Sequence, residues 1–428
     1  MRPSAHPATS AGTAGLSFPD LLRHHRLRSG LTQRALSDLS TVSPRTIRDL
    51  EAGRANARAL TLLLLANGLR LEGTVREAFL QAGHHRRSTA RLEVVAETRP
   101  ASVDAVLGRD DEIRAIAELL TSGRRRMVSL SGLPGVGKTR VAAEVAAWMN
   151  GRHRWPVLWE DAGPRTFGRH DTARIRQIVG SQAALLVLDG IANGDDCTPA
   201  VAGLLGACPE LRVITTSHQP WQLAGIQTTV LAPLPTPEPS NDLAEITALP
   251  SVRLLVDRLS EVRTGFTLTA DDAAATAELC RRLDGLPLAL EAVACRGRVL
   301  GVRQLAQMSV WDLLGLTVPA RTEQQAAARH GTDGPRSQTI GGLLRACCDA
   351  LTAEQESLLH ALATDDRSWT VAQVVTSLGQ PWERVIDVLD VLIGRGLVRA
   401  TPGNTGTELR VPQLVRALLH PAGRDDVH

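Results

Sequence analysis

The sequence predicts a chain of several domains. An all-α segment comes first, an α/β segment with a parallel sheet follows, and a helical and a mixed segment complete it. Three observations predict this. Two short amphipathic helices meet at a tight turn within residues 31–51. Apolar β-like runs alternate with helical runs from about residue 104 to 232. A glycine-rich loop separates the first of those runs from the helix behind it. A length of 428 residues suits two to four domains of ordinary size.

The composition excludes several classes. A hydrophobic fraction of 43% with 22% charged residues is that of an ordinary globular chain. No window approaches the ~18 uninterrupted apolar residues of a membrane span, so no membrane partner is expected. The run "LTLLLLANGL" is shorter and reads as a buried helix. No charged n-region precedes an apolar core at the N-terminus, which points to a cytoplasmic location. The cysteines Cys197, Cys208, Cys280, Cys295, Cys347 and Cys348 follow no disulfide or zinc spacing and read as thiols in a reducing compartment. The net charge of +3 is unevenly spread: the first 91 residues hold 14 arginines against six carboxylates. One end is therefore suited to a polyanion.

In chain order, residues 1–15 are small, polar and rich in helix breakers, and are expected to be a disordered tail. Residues 16–83 read as all-helical and 84–103 as a linker. Within 104–232 the β-like runs are "RMVSLSG", "PVLWEDA", "AALLVLDG" and "LRVITTS". A proline-rich break, "LAPLPTPEPSND", leads to helices over 240–315. Residues 316–336 read as a second linker. Residues 337–425 read as three helices, two short strands across "LVRATPGNTGTELRV" and a final helix.

"GLPGVGKT", Gly132 to Thr139, fits GxxxxGK[ST] between a β-like run and a helical one. Glycines at 132, 135 and 137 let backbone N–H groups turn inward. With Leu133, Pro134, Val136 and Arg140 they form a cradle for phosphate. The helix N-terminus adds partial positive charge. Lys138 is the single lysine of the chain; every other basic residue is arginine. A compact ammonium on a long stem reaches between two phosphates, where a planar guanidinium does not fit. The Thr139 hydroxyl and the Asp189 carboxylate, which ends the buried run "ALLVLDG", suit the shell of a Mg²⁺ ion. The residue after Asp189 is Gly190, where a hydrolase of this kind carries an acid or polar group; Asp195 and Asp196 follow a few residues on. Thr216, Ser217 and His218 end another strand, at the edge where open α/β sheets hold ligands.

Over residues 104–425 these motifs, with "VLGRDDEI" and "LDGLPLALEAVA", resemble the NB-ARC-type STAND nucleotide switches of actinobacterial regulators. The resemblance implies a P-loop NTPase domain with a parallel sheet, a helical lid and a winged-helix domain. It implies ATP or ADP with Mg²⁺ as cofactors. It places Gly108 and Arg109 near the base or ribose, and Pro287 against the adenine. It implies a sensor at Thr216, Ser217 and His218, where the family usually ends in arginine. Pro412 stands where many members carry a phosphate-contacting histidine. The resemblance thus implies nucleotide binding with weak or absent ATPase activity.

At the N-terminus, "LTQRALSDLSTVSPRTIRDLEAGR" gives one helix an apolar face of Leu31, Ala35, Leu36 and Leu39, and the next a face of Val42, Ile47 and Leu50. Thr32 and Ser43 are expected N-caps, with Pro44 at the first helical position. The pattern is helix-turn-helix, and the segment resembles the XRE-type repressor fold. That resemblance makes Ser43 and Pro44 the start of a recognition helix. Arg45 and Asp49 would face base edges, and Gln33, Thr46 and Arg48 phosphates or the groove wall. It also implies a structural ion pair of Arg26 with Glu51. Thr41 takes a turn position usually held by glycine. Together the two resemblances imply a nucleotide-gated transcription regulator with double-stranded DNA as partner. A homo-oligomer and a separate sensor or effector protein are further partners they allow. The competing expectation is a signalling NTPase, or a nucleotide-locked scaffold, whose helix-turn-helix recruits a protein.

Overall fold

The computed structural model describes residues 18–40, 42–52, 59–69, 71, 75–76, 79–80, 106–161, 167–191, 194–221, 225–239, 242–318, 339–403 and 406–420. The expected tail 1–15, the linker 84–103, most of the linker 316–336 and the Thr41 turn lie outside the described residues. The chain divides into two units, residues 1–100 and 101–428.

The first unit holds α1 (Phe18–Arg28), α2 (Gln33–Ser40), α3 (Pro44–Glu51) and α4 (Ala59–Gly68). Caps start the middle pair. The Thr32 hydroxyl accepts from Ala35 N at 3.1 Å, and Ser43 Oγ accepts from Thr46 N at 3.1 Å, with Pro44 following as its missing N–H permits. Leu22, Leu36, Ile47, Leu50, Leu62 and Leu65 are fully buried together, each contributing ~1.5–3 kcal/mol of burial. Leu39 departs from expectation: it is 53% exposed. The inward stripe of α2 is Leu36 and Ser40, four residues apart, and Leu39 lies about 100° around the helix from Ser40.

The second unit opens with α5 (Asp110–Thr121), followed by β1 (Met127–Ser131), α6 (Lys138–His153), β2 (Val157–Asp161), α7 (Arg169–Val179), β3 (Ala184–Ile191), α8 (Gly194–Ala207), β4 (Leu211–Ser217) and β5 (Gln227–Val230). The strands form one parallel sheet in the order β2-β3-β4-β1-β5. β1 and β4 are buried along their whole length, as central parallel strands covered on both faces must be. The first four strands are those expected; β5, "QTTV", escapes an apolar-run reading because it is a half-exposed edge.

A helical segment follows: α9 (Leu243–Ala248), α10 (Pro250–Val262), α11 (Ala270–Arg282), α12 (Pro287–Ala294), α13 (Val302–Gln307) and α14 (Val310–Leu314). Asp242, Thr269 and Ser309 cap α9, α11 and α14 with their side chains. The last segment comprises α15 (Ile340–Asp349), α16 (Ala353–Ala363), β6 (Trp369–Thr370), α17 (Val371–Leu378), α18 (Trp382–Gly394), β7 (Arg399–Gly403), β8 (Gly406–Arg410) and α19 (Gln413–Leu419). The three helices expected before the strands are four, because Gly379 in the left-handed region and Pro381 separate α17 from α18. The short β6 adds a third strand, giving the antiparallel order β6-β8-β7.

Asp284 joins the helical segment to the last one. It is a non-glycine residue at φ 54°, and its two carboxylate oxygens accept the N–H groups of Gln413 at 2.9 Å and Leu414 at 2.8 Å. It therefore caps α19 from another segment. Arg399 closes the contact by donating to the Asp284 carbonyl at 2.8 Å.

Candidate nucleotide-binding site

The loop between β1 and α6 turns through three glycines in the left-handed region: Gly132 (φ 132°), Gly135 (φ 78°) and Gly137 (φ 104°). A Cβ at Gly132 would meet the Leu231 carbonyl at 2.8 Å, and one at Gly135 the Leu288 side chain at 2.3 Å. Leu133, Pro134 and Val136 are buried beneath the turn, Thr139 is exposed and Arg140 is half-buried. The loop is thus packed closely against Leu231 and Leu288, at the N-terminus of a helix of 16 residues.

Lys138 is 8% exposed. Its ammonium donates to the carbonyls of Gly132 at 2.8 Å and Leu133 at 2.9 Å, and Nζ lies 3.3 Å from His218 Nδ1. Burial lowers its pKa to about 8. No carboxylate among the described residues lies within 4 Å of it, so the cation is held by dipoles. For His218, desolvation by burial and the Lys138 charge lower the pKa to about 4. The ring is therefore neutral and meets the ammonium as an acceptor.

Asp189 lies at the carboxyl end of β3, where Thr139 Oγ1 donates to its Oδ1 at 2.8 Å and Thr216 Oγ1 at 2.5 Å. Burial pushes its carboxyl above the usual carboxylate range, against the two hydroxyl donors, and the Asp161 charge adds to the rise. A hydroxyl and a carboxylate at one edge of an anion cradle are the donor set a hydrated Mg²⁺ takes, so the residues fit that ion.

The structure explains Gly190. Its φ is 75°, and its N–H donates to Thr216 Oγ1 at 2.8 Å, so a side chain here is disfavoured. An acid does stand nearby: Asp161 ends β2 and is the register partner of Asp189. Sequence reasoning missed it, although "WED" at a strand's carboxyl end was the available signal. The side chains of Asp195 and Asp196 lie outside the described residues.

Among the expected sensor residues, Thr216 and His218 reach the site, whereas Ser217 Oγ turns to the Gln219 carbonyl. Arg109 is buried and acts on the loop itself. It donates to the Val136 carbonyl at 3.3 Å, to the Ala232 carbonyl at 2.5 Å and to Glu112 at 2.9 Å. Gly108 packs against Pro250, which a Cβ would meet at 2.4 Å. Pro287 is half-buried at the first position of α12, and the next residue, Leu288, donates its N–H to the Gly135 carbonyl at 3.2 Å.

In the first unit, Ser43, Pro44, Arg45 and Arg48 are exposed along α3, and Thr46 and Asp49 are half-buried. The expected ion pair is present: Arg26 Nη2 donates to Glu51 Oε2 at 2.9 Å. Gln33 joins it, with Nε2 2.8 Å from the same oxygen. Burial alone would raise the Glu51 pKa, but these donors hold it below its ordinary value. Glu51 thereby ties the end of α3 to α1 through Arg26 and to the start of α2 through Gln33.

Comparison with known proteins agrees with this division. Residues 18–79 match the family described as helix-turn-helix domain, and residues 105–285 the family described as AAA ATPase domain. A protein of Mycobacterium tuberculosis (strain ATCC 25618 / H37Rv), provisionally named an HTH-type transcriptional regulator, is 30% identical over 333 residues; the match takes in 71% of this chain and 35% of that protein. An uncharacterized protein of the same strain is 30% identical over 278 residues, 60% of this chain and 64% of its own length. The chain thus spans about a third of the first of these relatives. A STAND protein with a tetratricopeptide repeat sensor from Pyrococcus horikoshii is similar with a TM-score of 0.30 and 14% identity, over 74% of this chain and 43% of that one. No described helix is long and apolar enough to cross a membrane. The chain therefore joins an N-terminal helix-turn-helix domain to an AAA-type ATPase domain built on a five-stranded parallel sheet.

Proposed function

We propose that this chain is a nucleotide-gated transcription regulator. Its helix-turn-helix domain binds double-stranded DNA, and its phosphate loop binds ATP or ADP with Mg²⁺. The observation that carries the reading is the gathering of Lys138, Thr139, Asp189 and Thr216 around three left-handed glycines at the carboxyl end of the sheet. Lys138 releases the loop carbonyls and pairs with phosphate, and the inward amides complete the cradle. Mg²⁺, when bound, supplies charge compensation for the phosphates, with Thr139 and Asp189 on its shell. With Gly190 after Asp189 and neutral His218 in the sensor, turnover is slow or absent, and occupancy sets the state. The provisional naming of the mycobacterial relative as a transcriptional regulator supports the DNA half of the reading. Arg45 and Asp49 face base edges, Gln33, Thr46 and Arg48 lie along the phosphates, and Ser43 and Pro44 set the start of the helix.

The test is a nuclease-protection assay on genomic fragments with ATP, with ADP and with neither. Protection that depends on the nucleotide, is lost in Arg45→Ala and loses its nucleotide dependence in Lys138→Ala is expected. Equal protection in all three conditions would remove the gating. Absence of protection alongside robust ATP turnover would favour a signalling NTPase whose helix-turn-helix recruits a protein.

A further inference from the structure

The C-terminal segment places a cation beside the phosphate loop that the reading above does not use. Arg395 follows α18 and is 7% exposed. Among the described residues its Nη1 reaches only the Cys347 carbonyl, at 3.4 Å, and its Nε has no hydrogen-bond partner. No carboxylate among the described residues lies within 4 Å of it. A buried guanidinium left in this condition is costly, because no carboxylate balances its charge and its donors are met in part only, Nη1 by one long bond and Nε by none.

Its neighbours locate it. Gly396, at φ 77°, packs so closely on the loop that a Cβ would meet Leu133 N at 2.9 Å and the Gly132 Cα at 3.3 Å. Gly394, on the other side, packs on Pro220, two residues beyond His218, where a Cβ would come within 2.7 Å. The buried Cys347 thiol feels the charges of both Lys138 and Arg395. Arg395 therefore adjoins the loop through Gly396, and the Cys347 thiol lies within reach of both the Lys138 and the Arg395 charge. Neither Lys138 nor Arg395 has a carboxylate within 4 Å among the described residues, so an anion held at the loop would relieve both charges.

We propose that Arg395 is a second phosphate-binding cation of this site, and that the polyphosphate tail of a bound nucleoside di- or triphosphate is its missing counter-charge. The proposal rests on the nucleotide reading and sharpens it. The C-terminal segment senses the nucleotide through a guanidinium at the end of α18, while the helix that begins after Pro412 takes its cap from Asp284. A planar fork with five donors suits a phosphate group that Lys138 meets only as a point charge.

The competing role is structural: Arg395 would simply hold the Cys347 carbonyl at the last turn of α15. Arg395→Gln separates the two, since glutamine keeps a carbonyl donor and loses the charge. Calorimetry on the full chain with MgADP and MgATP, alongside unliganded melting curves, provides both readouts. The proposal predicts that Arg395→Gln weakens both nucleotides by about tenfold to a hundredfold. Arg395→Lys should recover part of that loss, and the unliganded melting temperature of Arg395→Gln should equal or exceed the parent's. Unchanged affinity in Arg395→Gln overturns the proposal. So does a loss of affinity matched in both variants by a lower unliganded melting temperature, which would assign Arg395 to packing. Lys138→Ala serves as the control for the underlying reading. If the parent chain itself binds neither nucleotide, that reading fails first and independently of Arg395.

Discussion

Lys138 shows how far one residue can be read and where the reading stops. A single lysine in an arginine-only chain, inside a strand-loop-helix motif, pointed to the phosphate loop. That its ammonium is stored on the Gly132 and Leu133 carbonyls, with neutral His218 as a third neighbour, depends on side-chain directions that no spacing encodes. Two outcomes follow. Lys138→Arg, although it keeps the charge, should cost at least tenfold in nucleotide affinity by calorimetry, because the fork does not fit a place built for one compact donor. His218 makes a pH prediction. Its folded pKa, about 4, lies below the 6.5 of the free side chain. Its contribution is present above pH 6.5 and is lost as pH falls toward 4, where the unfolded chain holds the proton and the native one does not. The residue is exposed by surface area, which limits the effect to about 1 kcal/mol. Melting curves of the parent and His218→Gln should therefore converge as pH drops from 6.5 to 4. Parallel curves would show that the imidazole is not held neutral.

At the scale of elements, caps and apolar runs were legible because they are local. Thr32, Ser43 and Pro44 announce α2 and α3, and the four apolar runs announce β1 to β4. What was not legible depends on pairing across the chain. The edge strand β5 has no apolar signature and exists because its backbone pairs with β1. Asp161 becomes part of the site only through the register that sets β2 beside β3. Asp284 is the sharpest case. Its sequence neighbours suggest a turn before α12, whereas its carboxylate caps α19 from 129 and 130 residues away. Its removal is expected to be costly. Asp284→Ala leaves two N–H groups unmet and puts a β-carbon without a compensating side-chain bond in the left-handed region. The loss should be ~2–4 kcal/mol by denaturant unfolding of the second unit. Asp284→Asn tolerates the backbone and keeps one acceptor oxygen, so it should lose about half as much. Equal losses would mean that the charge matters and the geometry does not. In the first unit, Glu51→Ala strands Arg26, whose side chain is 10% exposed, and should cost ~3 kcal/mol or more.

For the whole molecule, the proposed function requires linkage between two compact units, a basic helix-turn-helix one and one that carries an AAA-type ATPase domain. If nucleotide gates DNA binding, thermodynamics fixes the form of the coupling. The factor by which exchanging ADP for ATP changes DNA affinity must equal the factor by which operator DNA changes the preference for ATP over ADP. Couplings of this kind are typically five- to 150-fold, whereas a near-complete switch between states needs about 10⁴. The expectation is therefore a graded shift in occupancy. Both arms can be measured on the intact chain. Fluorescence anisotropy gives DNA affinity at saturating MgATP and MgADP, and competition calorimetry gives the nucleotide preference with and without DNA. Because DNA affinity falls steeply with salt, both arms must share one ionic strength. Arg45→Ala should weaken DNA binding in each nucleotide state while leaving the ratio between states intact, since the contact proposed for Arg45 is to a base edge and not part of the coupling. Lys138→Ala should do the reverse, collapsing the ratio to one while retaining a fixed DNA affinity. Two nonzero but unequal factors would mean that the arms report different equilibria, as a nucleotide-dependent change in subunit count would produce. A factor of one in both arms, with each ligand still bound, would leave two domains sharing a chain without communicating.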